Sequence, residues 1–327
     1  MTLYIREQEV DKLLTYNEAI KAVEDGFRLL GLGKAVNIPR HRVILPGAVL
    51  HVLQSGILGG YNVAGLKAYM STRQGTRFIV LLFSVESGEL LAIIEADRLG
   101  QIRTGAASVV ASRYMANSMS ELGIVGSGRQ ARAQFEAFNS TGLLKRVKVI
   151  SRSRVNAEAF ASYIKSNGVD AVVVDDYREV CRVDVLVTAT NSREPFIRGE
   201  YLNEGIHVNA IGSNWRNRAE LTPDAVNKAD LIAVDDLEQA KEEAGDLIMA
   251  GDGIWSKVVK LSDIVAGNVK GRVNSSSVTI FKSLGISIED IVVAKIIYDK
   301  AVKEGIGVNI EFSGIFNAVK WIILWKV

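Results

Sequence analysis

The stretch ELGIVGSGRQA, residues 121–131, decides the fold. A short apolar strand runs into Gly126-Ser127-Gly128-Arg129-Gln130-Ala131, a GxGxxA turn, and a helix opens at Arg129. Gly126 permits the tight turn, Gly128 lets backbone approach a pyrophosphate, and Ala131 allows close packing of helix on strand. The open N–H groups and positive dipole end of the helix then face an anion. Ser127, Arg129 and Gln130 fall on the same loop and are expected to touch the cofactor. Glycines in turns are common, and the strand–loop–helix context is what makes the motif informative.

Outward from this loop the same grammar repeats. RVKVI (146–150), a helix from Val155, AVVVD (171–175), VDVLVTA (183–189), HVNAIG (207–212) and ADLIAVD (229–235) alternate strands with helical or connecting segments. That alternation predicts a parallel, doubly wound sheet covered on both faces. Upstream the pattern differs. Thr15 and Glu18 have capping-box spacing, and Ile20, Val23, Phe27 and Leu30 recur at helical intervals. HRVILP, VLHVLQ, VAGLKAYMS, RFIVLLFSV and ELLAIIEA, between Arg42 and Ile94, read as an antiparallel or mixed sheet with a hairpin at Glu86-Ser87-Gly88. A long helix is expected from about Arg98 to Met115. A last one, about Ile288 to Lys303, is expected to cross back to the first domain. The chain therefore reads as α/β, a Rossmann-type doubly wound parallel sheet inserted in a second, α+β domain. The expected division is 1–115 plus about 304–327 for the α+β domain and 116–303 for the dinucleotide-binding domain.

The end of the second strand bears on the cofactor. An acidic residue there suits the ribose 2′-hydroxyl of NAD. This chain has Ser151-Arg152-Ser153-Arg154 and no carboxylate. Guanidinium and hydroxyl groups suit a 2′-phosphate, which favours NADP(H), with NAD(H) the alternative. The plainer reading is a solvated helix start capped by Ser153. Thr188 and Thr190 end a strand where doubly wound folds bind ligand, and Thr190 is the better placed for the nucleotide; either could instead satisfy strand-end backbone.

Composition excludes other classes. A single Cys181 among 327 residues rules out a disulfide framework or a cysteine metal site, and is read as a small packed side chain. With 39 Lys+Arg against 37 Asp+Glu, no polybasic nucleic-acid surface is implied. The scattered His41, His51 and His207 have no metal-ligand spacing, and no metal is expected. His51 falls close to the expected carboxylate site, as a minor pocket residue. Asp235-Asp236 and the run Glu238–Asp246 read as a solvated helix face. The N-terminus has no signal-peptide core, and no uncharged run approaches the ~20 residues that span a bilayer. The tail Phe312–Val327, containing WIILW, reads as a terminal helix packed on its own or a partner subunit. A cytoplasmic protein, with neither nucleic acid nor membrane as partner, is the expectation.

EADRLGQIRTGAASVVASRYMA, LGIVGSGRQARAQ and the late VTIFKSLGISIED together resemble the ornithine cyclodeaminase/μ-crystallin family, in order and spacing, from about residue 3 to 310. The resemblance implies a Rossmann domain beside a substrate-binding and dimerisation domain, and hence a homodimer; the apolar N-terminal sheet edge agrees. It places Lys67 as the active-site lysine and Arg103 as the arginine that holds the substrate carboxylate. Arg42 resembles a second carboxylate-binding arginine, with Arg40 the competing position. Thr104 would lie near the cofactor phosphates. Thr76 and Ser283 fall where the family contacts cofactor, and Leu284 where it contacts substrate. Ser213, Asn214 and Arg218 would also lie on the cofactor side, Asn214 reaching the substrate as well.

Elementary chemistry suits these roles. An imino acid needs its carboxylate fixed by a guanidinium fork so that its α-carbon is presented to the nicotinamide. A lysine between two cations and an apolar strand should have a lowered pKa and exchange protons near neutrality. Lys67 lies mid-strand among Val63, Leu66, Tyr69 and Met70, whereas an isolated lysine is ordinarily a surface residue. Asn214 stands where the family often carries an aspartate that assists the ornithine reaction. An amide cannot accept a proton as a carboxylate does; the plainer reading is that Asn214 caps a turn. The expected function is therefore an NADP(H)-preferring oxidoreductase on the C=N/CH–NH bond of a small amino or imino acid, of Δ1-pyrroline-2-carboxylate/ketimine reductase or alanine dehydrogenase type. Ornithine cyclodeaminase is the alternative, and a non-catalytic NADPH-dependent binder the third possibility.

Overall fold

The computed structural model describes residues 2–311, and the expectation for the apolar tail falls outside them. Two sheets organise the chain. The first holds β1 (Thr2–Ile5), β2 (Ala35–Leu45), β3 (Ala48–Ile57), β4 (Val63–Thr72), β5 (Gly75–Ser84), β6 (Leu90–Glu95) and a late β15 (Val308–Ile310), in the order β15-β1-β6-β5-β4-β3-β2. It is mixed: β2 to β6 run antiparallel, and β1 pairs parallel with β6. Between the sequential strands alternate residues turn inward, so His51, Leu53, Ser55 and Ile57 of β3 are buried.

The second sheet holds β7 (Glu121–Val125), β8 (Arg146–Ile150), β9 (Asp170–Val173), β10 (Val185–Thr188), β11 (His207–Ala210), β12 (Leu231–Val234), β13 (Val258–Lys260) and β14 (Thr279–Lys282). All pairings are parallel, in the order β13-β12-β14-β11-β10-β7-β8-β9. β7 has β8 and β9 on one side and the later strands on the other, so the order reverses there. The crevice outside the C-terminal ends of β7 and β10 is where such sheets bind ligands.

Local sequence explains the helices that matter. Thr15 and Glu18 form the expected reciprocal cap of Tyr16–Gly31, whose buried face carries Ala19, Ile20, Val23 and Phe27. Helix Asp97–Met115 is buried along almost its whole length and joins the two sheets. The structure differs from the expected division at one place. Helix Ser287–Glu304, assigned by the 116–303 boundary to the nucleotide-binding unit, packs on β3, β4 and β5 of the first sheet and on Tyr16–Gly31. Its residues 287–294 are buried on every side, as for a helix enclosed between layers. The second sheet thus ends its chain course with β14, and the chain returns to the first layer through Ser283–Ile286. Strands β1, β13, β14 and β15 are additions to the expected set. Among the described residues no helix is long and apolar enough to cross a membrane.

Candidate functional site

The glycine loop has the geometry that its sequence predicts. Gly126 has φ +118°, and a Cβ there would lie 2.6 Å from the Ala189 carbonyl oxygen, so the turn requires glycine. Nothing lies within 4 Å of a Cβ built on Gly128, and that open space is what a backbone-bound phosphate needs. Helix Arg129–Ser140 starts with no side-chain cap, leaving its first N–H groups for an anion. The residues fit a dinucleotide pyrophosphate. Ser127 and Ser151 share a hydrogen bond, Oγ to Oγ 2.9 Å, which brings the ends of β7 and β8 together. Gln130 is beside them, with its Oε1 buried and unpartnered.

The rest of the expected cofactor set is distributed around this edge. Arg152 is exposed and has no ion-pair or hydrogen-bond partner among the described residues. Ser153 accepts from the Asn156 N–H and caps its helix. Arg154 pairs with Glu158 and Asp175. Arg129 is largely exposed and pairs with Asp97. The Thr190 hydroxyl (2.6 Å) and N–H (2.7 Å) both donate to buried Glu220, which also takes the Thr188 hydroxyl and the Gly212 N–H. Thr104 is buried at the contact with helix Arg129–Ser140, its hydroxyl bonded to Gly100. Ser213 is buried beside the open loop Asn214–Arg218.

A cavity of about 440 Å³ lies between the first sheet and this edge. It brings together Lys67, Thr76, Arg103, Asn214, Arg218 and Leu284 from the expected set, with Arg40, His51 and Trp215. Lys67, on β4, is buried, and its Nζ lies 2.9 Å from Asp290 Oδ1. The same oxygen accepts from Arg103 Nε at 3.0 Å, while Arg103 Nη1 reaches Glu289 at 2.8 Å. Arg103 Nη2 has no protein partner among the described residues. Burial lowers the Lys67 pKa, Asp290 opposes that shift, and Arg103 and Arg40 add to it. Gly100 makes room for the amine, since a Cβ there would sit 2.8 Å from Lys67 Nζ.

Arg42 and Arg40 divide differently from the expected pair. Arg42 Nε donates to His51 Nδ1, Nη1 to Glu243 and Nη2 to the Asn214 carbonyl, and its guanidinium lies 4.5 Å from the Trp215 ring centre. Arg40, buried, lines the cavity itself; it bonds Glu243 and the Leu284 and Gly285 carbonyls.

The structure overturns the reading of 235–246 as a solvated face. Asp235, Gln239, Glu243 and Asp246 are all buried. Gln239 and Glu243, four apart on Leu237–Glu243, turn one face of that short helix onto Arg40 and Arg42, while Glu238, Lys241 and Glu242 take the solvent. Asp235 accepts from the N–H groups of Leu284 and Gly285; burial raises its pKa to about 6. Asp246 takes the Glu220 and Leu221 N–H groups and lies 2.7 Å from Lys282. The contact with Lys282 is one of charge rather than a well-directed hydrogen bond, since neither Lys282 Nζ nor Asp246 Oδ2 has a hydrogen-bond partner. Glu220, Asp235, Glu243, Glu289 and Asp290 are the residues that sequence reasoning missed. For Asp235 a signal existed, because it follows a parallel strand directly, at the ligand-binding edge.

An α/β protein of two sheets, with a Rossmann-type phosphate loop facing a cationic pocket, is the class that this fold and site define. The chain belongs to the ornithine cyclodeaminase/μ-crystallin family, whose pattern it matches over residues 2–305. It is 34% identical to the alanine dehydrogenase of Archaeoglobus fulgidus over 324 residues, 95% of this chain and 98% of that one. Among solved structures it resembles an archaeal alanine dehydrogenase dimer with bound NAD (TM-score 0.89, 35% identity, 95% and 99% of the two chains). It also resembles the Δ1-pyrroline-2-carboxylate reductase of Thermococcus litoralis in complex with NADH and L-proline (TM-score 0.88, 31% identity, 94% and 100%).

Proposed function

We propose that the protein is an NAD(P)(H)-dependent oxidoreductase that interconverts the C=N bond of a small α-imino acid and the CH–NH bond of its amino acid. The observation that carries this reading is Lys67, a buried amine with a lowered pKa, facing a cavity beside a phosphate-binding glycine loop. Arg103 holds the substrate carboxylate through its free Nη2, with Arg40 or Arg42 as the second cation. In reduction the α-carbon gains a hydride, which the bound nicotinamide supplies, and the imine nitrogen gains a proton from the Lys67 ammonium. In oxidation the Lys67 amine takes that proton back. Leu284, Trp215 and Leu53 exclude water from one side of the cavity. The relatives named above fit this reading, since both kinds act on small amino or imino acids.

Asn214 speaks against ornithine cyclisation. Its amide offers no base, and among the described residues no carboxylate side chain lines the cavity to take a distal ammonium. NADP(H) is the proposed preference: Arg152 is exposed and free to meet a 2′-phosphate, and the second strand ends without a carboxylate. We further assign a homodimer built on the outer face of the first sheet, where Val36 and Ile38 border an apolar groove with Leu66 and Phe83.

The test is nicotinamide absorbance with Δ1-pyrroline-2-carboxylate, with NADPH and NADH in parallel and Lys67→Ala beside the native chain. Oxidation of NADPH that collapses in the variant supports the reading. Failure with this imine and with pyruvate and hydroxypyruvate, each with ammonium, refutes it, and ammonia released from ornithine without net absorbance change replaces it with cyclodeamination. A preference for NADH refutes the Arg152 assignment alone.

A further inference from the structure

One row of paired residues crosses the first sheet beside Lys67. Arg42 faces His51, His51 faces Tyr69, and Tyr69 faces Phe78. The adjacent inward row is Leu53, Lys67 and Val80. His51 therefore stands one row from the proposed proton donor, on the wall of the same cavity, and is 3% exposed.

Its ring is fixed from three sides. It stacks on Tyr69 with centroids 4.2 Å apart and planes 9° from parallel, and meets Trp215 edge-on at 6.0 Å. Arg42 Nε donates to Nδ1 at 3.2 Å. An arginine only donates, so Nδ1 presents its lone pair and the ring proton sits on Nε2. Nε2 has no partner among the described residues. Burial, with Arg42 and Arg40 nearby, brings the His51 pKa down to about 4, which keeps the ring uncharged at neutral pH. The cavity wall thus holds an oriented N–H with nothing in the protein to receive it. A donor fixed on a cavity wall disfavours a ligand that leaves it unpaired, and a substrate oxygen meets it.

Resting on the proposed imino-acid site, we propose that His51 is a specificity-determining residue whose Nε2–H donates to an oxygen on the substrate side chain. The site then prefers small amino and imino acids with a hydroxyl, carbonyl or carboxyl oxygen beyond the α-carbon over their hydrocarbon counterparts.

The test measures binding apart from turnover. Calorimetry with NADP+ present compares L-serine with L-alanine on the native chain, His51→Leu and His51→Gln. The expected result is tighter binding of L-serine by the native chain, a serine-to-alanine ratio that falls about tenfold in His51→Leu, and recovery in His51→Gln, whose side-chain amide keeps a donor. Loss of the Arg42 contact weakens both ligands alike, so the ratio isolates the Nε2 bond. An unchanged ratio in His51→Leu, equal affinities in the native chain, or no binding of either amino acid overturns the proposal. Turnover of hydroxypyruvate against pyruvate, each with ammonium and NADPH, is run alongside. A native chain that binds with the expected ratio but reduces neither refutes the reaction and leaves the His51 assignment standing.

Discussion

Replacing Asp290 by Asn separates the charge of the buried cluster from its shape. Asp290 Oδ1 receives both Lys67 Nζ and Arg103 Nε, at 2.9 and 3.0 Å. At an effective dielectric of about 20, unit charges 2.9 Å apart attract by roughly 6 kcal/mol. Desolvation and retained hydrogen bonding reduce what appears as a pKa change, and single charged partners shift pKa by about 1–3 units. Asn fills the same volume and keeps an acceptor, so the change is chiefly electrostatic. Without this carboxylate Lys67 loses its direct counter-charge beside Arg103, which keeps Glu289, and the cheapest relief is loss of the Lys67 proton. The Lys67 pKa, already lowered by burial, must then fall further. Reduction needs the ammonium, so its kcat/KM is present below that pKa and lost above it. In Asp290→Asn that loss moves to lower pH by about 1–3 units. Oxidation needs the free amine, and its limb moves the same way, so at pH 7 the variant loses reduction while oxidation is spared. The assay is a pH profile of kcat/KM in both directions, with thermal unfolding as the folding control. Limbs that stay put in a folded variant, or equal losses in both directions, would refute Lys67 as the proton carrier.

Arg152→Ala should raise KM for NADPH at least tenfold and leave KM for NADH nearly unchanged, measured by initial rates with each cofactor. Gly126→Ala places a Cβ against the Ala189 carbonyl at φ +118°; weakened cofactor binding by fluorescence titration and a stability loss of about 1–3 kcal/mol are expected. Glu243→Gln leaves the Arg40 and Arg42 guanidinium groups without a buried counter-charge; denaturant unfolding should show a loss of about 3–5 kcal/mol. His207 is buried between Thr279 and Asn209, and burial, with Arg272, pushes its pKa down to about 3. The unfolded chain takes up this proton near pH 6.5, so the contribution is complete above that and declines as pH falls toward 3, by at most about 1.4 kcal/mol per pH unit. His207→Gln should unfold less steeply with acid over that window in chemical denaturation.

The phosphate loop was legible because its information is local. A strand, two glycines and a helix start lie within eleven consecutive residues, and φ +118° at Gly126 is what that pattern demands. The antiparallel run β2 to β6 was legible for a similar reason, as alternation along β3 and β4 maps directly onto inward and outward faces. β1, β13, β14 and β15 were not: β13 and β15 have three residues each, β1 runs straight into a charged segment, and the buried Lys282 interrupts the apolar run of β14. The site was half legible. Lys67 and Arg103 came from family motifs, whereas their carboxylate partners did not. Glu289 and Asp290 look like ordinary acidic residues in the first turn of a helix, which usually serve the helix dipole in solvent. Only the packing of that helix against β4 turns them into buried partners. Glu243 failed for the opposite reason: it lies in a run of charges whose exposed members dominate the pattern.

Those buried carboxylates also explain how the two sheets make one pocket. Arg40 and Arg42 belong to β2 of the first sheet, but Glu243 follows β12 of the second sheet, and the Leu284 and Gly285 carbonyls that Arg40 bonds follow β14. Asp235, at the end of β12, fixes those two residues by their N–H groups. Glu289 and Asp290 lie directly after the same turn and reach back to Arg103 and Lys67. Each cation facing the cavity from the first layer is thus held from behind by chain that leaves the end of the second sheet. Breaking one partner leaves an uncompensated buried charge, which costs far more than an exposed ion pair contributes. The seam therefore sets the distance between the glycine loop and Lys67, the dimension on which the proposed transfer to a substrate carbon would depend.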